Sequence, residues 1–89
     1  MVFSIPSASV LGVILVDKTE NYLNNLNAIS DNAIYAFNGS SVTGRPSFYQ
    51  GLVFSVCFDK WGDIQIAFNV GTGNEKFAYR LGKGEWIYP

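Results

Sequence analysis

The chain has 89 residues, a formal net charge of −1, 15% charged residues, 16% aromatic residues and no histidine. Its length fits one small domain, and its aromatic content with little charge excludes an intrinsically disordered chain. A balanced charge without clustered Lys and Arg argues against a nucleic-acid partner.

Catalytic and metal-binding chemistry lack their usual residues in this sequence. Without histidine the chain has neither the commonest general base nor the commonest neutral metal ligand. The single Cys57 can form no internal disulfide and no zinc site by itself. We therefore expect no metal and no cofactor. A core this small is often supplemented by disulfides, metals or oligomerisation, so the composition predicts an oligomer.

The N-terminal part of the sequence predicts one strand followed by a polar break. Val10–Val16 is apolar and β-branched, which favours a buried strand, and Asp17–Glu20 interrupts it. A signal peptide is the alternative, but no Lys or Arg precedes the apolar run. The run is also far shorter than the ~20 residues of a membrane span, so we expect no membrane insertion.

The middle of the chain predicts a turn region, a strand and a loop. Asn21–Asn32 contains five Asn, which favour turns over helix, so at most one short helix is expected near residues 21–30. Ala33–Asn38 has the composition of a strand, and Gly39–Ser47 has that of a loop.

The clearest local pattern is the alternation of apolar residues in Gly51–Val70, which predicts a β-hairpin. A three-residue loop, Lys60–Gly62, keeps apolar residues opposite one another and puts Gly62 where a left-handed conformation is favoured. That register pairs Phe58 with Ile64, Val56 with Ile66, and Phe54 with Phe68. Further alternation predicts strands at Phe77–Leu81 and Glu85–Tyr88.

Taken together, these segments predict an all-β fold, mainly an antiparallel meander with a small sandwich-like sheet. No long helix is present for a parallel crossover. Arg80 is expected to stack on Trp86 across the last hairpin, and Cys57 to be a small buried residue.

Few residues of the sequence are candidates for catalysis or metal binding. The predicted register sets Asp59 opposite Asp63, but two carboxylates are too few for a calcium site. A polar strand end, in which Lys60 relieves the repulsion between the two carboxylates, explains both residues. No nucleophile stands beside a base in a known motif. We therefore expect a protein that is not an enzyme, with an unrecognised hydrolase as the outside alternative.

The order of the segments resembles the pyocin-knob type of phage tail-fibre domain over residues 21–89. The family pattern runs through an L-N-x-I/L segment, an Ile-Tyr pair, a Pro-containing loop, a Q-I-x-F/Y segment and a closing Y-x-R…W. Ala33 stands where the family usually has Gly, and the usual closing aromatic falls at or beyond Tyr88. The matching segments are Asn25–Ile29, Ala33–Tyr35, Gly44–Pro46, Gly51–Val56, Ile64–Phe68, Phe77–Arg80 and Gly84–Trp86.

The resemblance implies a non-enzymatic homotrimer in a tail fibre of a virion or phage-like particle, made in the cytoplasm of the bacterial host. Residues 1–20 would form an N-terminal strand and trimer junction (Met1–Asp17 in particular), and 21–89 the knob-like domain. Its partners would be a bacterial surface glycan or other receptor and further fibre or baseplate parts.

The resemblance fixes no binding site, so the candidate residues come from the loops, which commonly carry recognition. Bulky side chains among turn residues indicate Arg45, Tyr49 and Trp61 as ligand-binding residues. Trp61 could equally pack against its own sheet. Two other functions stay open: a purely structural trimerisation module, and a free-standing bacterial carbohydrate-binding or adhesin domain.

Overall fold

The computed structural model describes residues 7–10, 13–58 and 62–89, which form one sheet with its strands in chain order. The predicted all-β class is confirmed, and among these residues the helical part is a single 3-10 turn, Leu26–Ala28. None of their helices is long and apolar enough to cross a membrane. The strands are β1 (Ser7–Val10), β2 (Val13–Tyr22), β3 (Ala33–Asn38), β4 (Gln50–Phe58), β5 (Gly62–Asn69) and β6 (Phe77–Leu81).

The N-terminal strand prediction is wrong in its bounds. Val10 ends β1 and Val13 begins β2, and these two residues pair in an antiparallel hairpin, so Val10–Val16 is not one strand. The expected polar break lies inside β2, where Asp17 accepts hydrogen bonds from the amide and hydroxyl of Thr19 (2.9 and 2.7 Å). The expected division between residues 20 and 21 therefore falls within a strand of the common sheet.

The sheet is mixed, because β2 and β3 are parallel while the other neighbouring strands are antiparallel. The connection between them contains the 3-10 turn in place of a long helix. Asn25 caps this turn by accepting a hydrogen bond from the Asn27 amide (2.9 Å). The short helix expected near residues 21–30 is therefore present, and it makes a parallel connection that the sequence did not suggest.

The β4–β5 hairpin has a register two residues away from the predicted one. Phe58 pairs with Gly62, and Asp63 lies opposite Cys57, so the expected Asp59–Asp63 pairing is wrong. Both registers keep the same side chains on the same face, so apolar alternation alone cannot choose between them. Gly62 does adopt a left-handed φ of 86°, as predicted, but as the first residue of β5.

One face of the sheet, here called the inner face, is covered by loops. On β5 and β6 its residues are small or polar, and the four-residue row Ala33, Ser55, Gln65 and Arg80 is at most 2% exposed. Loop residues pack over this face, so the second layer of the domain is made of loops. The buried core cluster comprises Leu26, Ile29, Phe37, Val42, Phe48, Val53, Ala67 and Ala78, with Leu23, Tyr35 and Trp86 against it.

A buried arginine ties these loops to the inner face. Arg80 donates from Nε to Gln65 Oε1 (2.9 Å) and from Nη2 to Asn27 Oδ1 (2.9 Å), and Gln65 donates to the backbone oxygen of Leu26 (2.9 Å). The guanidinium also lies 4.6 Å from the Trp86 ring centroid, so the predicted stacking is confirmed. Burial lowers the pKa of Arg80.

The opposite face, here called the outer face, carries the large apolar residues of β4, β5 and β6. Phe68, Phe77 and Leu81 are 41%, 40% and 68% exposed. The expected strand Glu85–Tyr88 is reduced to a single antiparallel bridge between Ile87 and Tyr79. This bridge places Ile87 on the outer face beside Tyr79.

Candidate functional site

The candidate site is an open cleft of about 410 Å³ at the end of the sheet where β3 and β5 finish and β4 begins. Its lining combines amide, hydroxyl and aromatic side chains from three chain segments. These segments meet because β3, β4 and β5 are neighbours and the β3–β4 and β5–β6 loops emerge at the same end of the sheet. The polar and exposed aromatic residues of the lining are Asn38, Ser40, Ser47, Tyr49, Gln50, Asn69 and Thr72.

The cleft contains one exposed aromatic residue, Tyr49, which is 55% exposed. The guanidinium carbon of Arg45 lies 4.4 Å from the Tyr49 ring centroid, a cation–π contact. Arg45 also donates to the backbone oxygens of Ser40 (3.1 Å) and Pro46 (2.7 Å). Arg45 therefore fixes the loop and the ring of Tyr49, so two of the three sequence-predicted site residues lie together.

A directly paired amide couple, Asn38 and Gln50, lines the cleft. Asn38 ends β3 and Gln50 begins β4, and Gln50 donates from Nε2 to Asn38 Oδ1 (3.1 Å). Among the described residues, Gln50 Oε1 and Asn38 Nδ2 have no hydrogen-bond partner. One acceptor and one donor are thus presented side by side, which is the pattern that a pair of neighbouring hydroxyl groups can satisfy.

The rim of the cleft is held by the turn after β5. Asn69 donates to the backbone oxygens of Thr72 (3.0 Å) and Glu75 (2.8 Å), and accepts from the Gly71 amide (2.8 Å). A methyl group added at Gly71 would lie 2.7 Å from Gln50 Oε1. The missing side chain at this position therefore keeps the amide couple accessible.

The lining of the cleft has no charged side chain in the part of the chain that the structure describes. The nearest charges are committed to the protein: Arg45 to the loop carbonyls, and Glu75 as acceptor from the Ser47 hydroxyl (3.2 Å). Tyr88 accepts a hydrogen bond from the Ser47 amide (2.7 Å) and so ties this loop to the C-terminal segment. The arrangement suits an uncharged, hydroxyl-rich ligand.

The third predicted site residue, Trp61, lies outside the described residues. Strand β4 begins beside Tyr49 and ends at Phe58, and eight steps of a strand span about 26 Å. The Phe58 end of β4 is thus far from the cleft. Asn38 and Gln50 were missed from the sequence, although pairing of two predicted strands, Ala33–Asn38 and the one after Gly51, could have brought them together.

The other sequence candidates do not form a reactive centre. Cys57 is half-buried, less buried than expected, and burial raises the pKa of its thiol, which disfavours the nucleophilic thiolate. Asp63 is paired with Lys83 at 3.8 Å rather than with a second carboxylate. Neither residue lines the cleft.

The geometry defines a class: a small single-sheet β domain with a polar cleft at one end and an open apolar face. The chain matches no protein-family model, no curated protein and no solved structure. Its function is therefore argued from its own residues.

Proposed function

We propose that this chain is a non-enzymatic tail-fibre module that attaches a virion or phage-like particle to a glycan of the bacterial surface, acting as a homotrimer. The observation that carries the proposal is the uncharged cleft beside Tyr49, with its amide couple and hydroxyl rim. The order of the sequence segments supports the fibre context. The site lies on loops positioned by a sheet, where recognition residues are commonly found.

A neutral sugar fits the chemistry of this cleft. Its hydroxyl groups can donate to Gln50 Oε1 and accept from Asn38 Nδ2, and its apolar ring face can lie on Tyr49. An anionic ligand would find its nearest cation, Arg45, already engaged with loop carbonyls and the Tyr49 ring. The proposed ligand class is therefore an uncharged hexose unit of a surface polysaccharide.

Binding to whole bacteria and to an array of bacterial surface polysaccharides tests this function. Tyr49→Ala should weaken binding by about tenfold or more, as expected for loss of a central aromatic contact. Gln50→Ala should weaken it less, because it removes one side of the amide couple. Ile14→Ala is the control, since Ile14 is 62% exposed on β2 and lines neither this cleft nor the cavity beside it.

Two results would contradict the proposal. One is wild-type protein that binds neither cells nor any polysaccharide of the array. The other is a folded Tyr49→Ala variant that binds as tightly as the wild type.

A second candidate function is a purely structural fibre module that joins chains and touches no receptor. The open outer face favours it, because large exposed apolar patches commonly mark protein contacts. A chain that forms trimers in solution but binds no cells would favour this function over attachment.

A further inference from the structure

We propose that the outer face of the sheet is the contact surface between copies of this chain. The inference is independent of what the cleft binds. It assigns the surface through which self-association occurs, and it rests on the geometry of β4, β5, β6 and Ile87.

The outer face consists of three rows of directly paired apolar residues that cross the strands. The Phe54 and Phe68 rings meet edge to face at 5.4 Å, and those of Phe68 and Phe77 stack at 6.1 Å. The patch is therefore continuous rather than a scatter of single side chains. The rows are Leu52–Phe68–Phe77, Ile34–Phe54–Ile66–Tyr79–Ile87 and Val56–Ile64–Leu81.

Exposure across these rows rises towards the C-terminal strand. Val56 is 6% exposed, the β4 residue Phe54 is half-buried, and Leu81 on β6 is 68% exposed. Tyr79 and Ile87 are 37% and 47% exposed. The exposed part of the patch is thus centred on β5, β6 and Ile87, which is bridged to β6.

The area of the patch approaches that of a stable interface. At about 200 Å² for each large apolar or aromatic side chain, the five exposed residues leave on the order of 500 Å² in water. This lies near the upper end of the roughly 300–600 Å² of the largest patch on a monomer. The half-buried members of the rows bring the face close to the roughly 800 Å² that each partner buries in a stable complex. The five exposed residues are Phe68, Phe77, Tyr79, Leu81 and Ile87.

The chemistry of the face favours a second copy as the occupant. None of the residues in the three rows is charged, so two copies can meet without burying an unpaired charge. The second row continues on β2 to Asp17, which pairs with Ile34 and accepts hydrogen bonds from Thr19. This charge lies at the β2 end of the face, away from the exposed apolar residues of β5 and β6. A membrane surface would instead be recognised by several basic residues around the apolar patch. Of the six Lys and Arg of the chain, Arg45 is engaged with loop carbonyls, Arg80 with the inner face and Lys18 with Asp31.

Light scattering behind size exclusion tests the contact, at protein concentrations from about 1 to about 100 µM. The wild type should have the mass of two or more chains of 9.8 kDa each. Leu81→Asn and the double variant Phe77→Asn/Leu81→Asn should raise the dissociation constant by about tenfold or more. Ile14→Asn is the matched control, since Ile14 is 62% exposed on β2 outside the three rows and its replacement should leave the mass unchanged.

Far-ultraviolet circular dichroism establishes that each variant is folded, and the comparison uses folded variants. A wild type that is monomeric over the whole range would overturn the inference, as would variants that keep the wild-type mass. A dimer would support this contact while contradicting the homotrimer of the proposed function. Polysaccharide binding by a monomeric Leu81→Asn would show that the cleft works independently of the contact.

Discussion

On β5 and β6 the inner face of the sheet carries small and polar side chains beneath a layer of loops, whereas the outer face carries large apolar side chains that stay partly in water. Ala67 and Ala78 are fully buried on the first, while Phe68 and Phe77, one residue away along the same strands, are about 40% exposed on the second. Small residues leave room for large neighbours, as at Gly51, where an added methyl group would lie 2.7 Å from the ring of Phe37 on the adjacent strand β3. On β5 and β6 the face covered by loops is thus fully buried, whereas the larger apolar side chains of the opposite face stay partly exposed.

The largest expected effect is at Arg80, the polar centre of the inner face. Arg80→Leu leaves Gln65 Oε1 and Asn27 Oδ1 without their donor and removes the stacking on Trp86. We expect the free energy of unfolding to fall by about 3–5 kcal/mol, measured by urea denaturation. Leu81→Ala, on the adjacent residue but on the outer face, should cost about 1 kcal/mol or less in the dilute monomer. Equal losses from the two substitutions would remove the distinction between the faces.

A smaller effect is expected from changes of volume on neighbouring residues. Ala67→Leu adds bulk to a fully buried position beneath the loops, and overpacking there should cost about 1–3 kcal/mol. Phe68→Leu, on the outer face, changes shape at a surface with open space and should cost less than about 1 kcal/mol at low concentration. Thermal unfolding of both variants at the same dilution compares them. An inner face that tolerates leucine as well as the outer face would show that the loops are loosely packed.

The outer face also predicts a dependence of stability on protein concentration. If copies associate through it, the unfolding temperature of the wild type should rise by a few degrees between about 1 and about 100 µM, because association favours the folded chain. The unfolding temperature of Leu81→Asn should stay constant over this range, and that of Ile14→Asn should follow the wild type. A constant unfolding temperature for the wild type would argue against association.

The sequence predicted strands β3 to β6, but neither the N-terminal hairpin nor the face that each strand buries. Alternation in Gly51–Val70 located the hairpin, because a period of two is a local property of the chain. It did not reveal that Gln65 lies in the core, since this depends on hydrogen bonds to Leu26 and Arg80, which are 39 and 15 residues away. Among the site residues, Arg45 and Tyr49 could be predicted from the local sequence of their loop. The Asn38–Gln50 couple could not, because it depends on the register between β3 and β4.

The smallest expected effect is a pH dependence at the margin of the inner face, where Asp31 meets Lys18 and Tyr35. Burial raises the pKa of Asp31, but hydrogen bonds from Lys18 and Tyr35 outweigh it, and the net pKa lies below the usual value of 3.8. A lowered pKa in the folded state means that the carboxylate stabilises the fold fully well above pH 3.8 and ceases to do so as the pH falls through the lowered value.

Asp31→Asn should therefore reduce stability slightly at neutral pH and flatten its decline in acid, as seen in unfolding curves between about pH 6 and pH 2. If copies associate through the outer face, their mass should not change while the fold persists, because the three rows contain no carboxylate and Asp17, paired with Ile34, lies at the β2 end of the face. An acid-induced loss of mass that precedes unfolding would instead place a titrating carboxylate within the contact between copies.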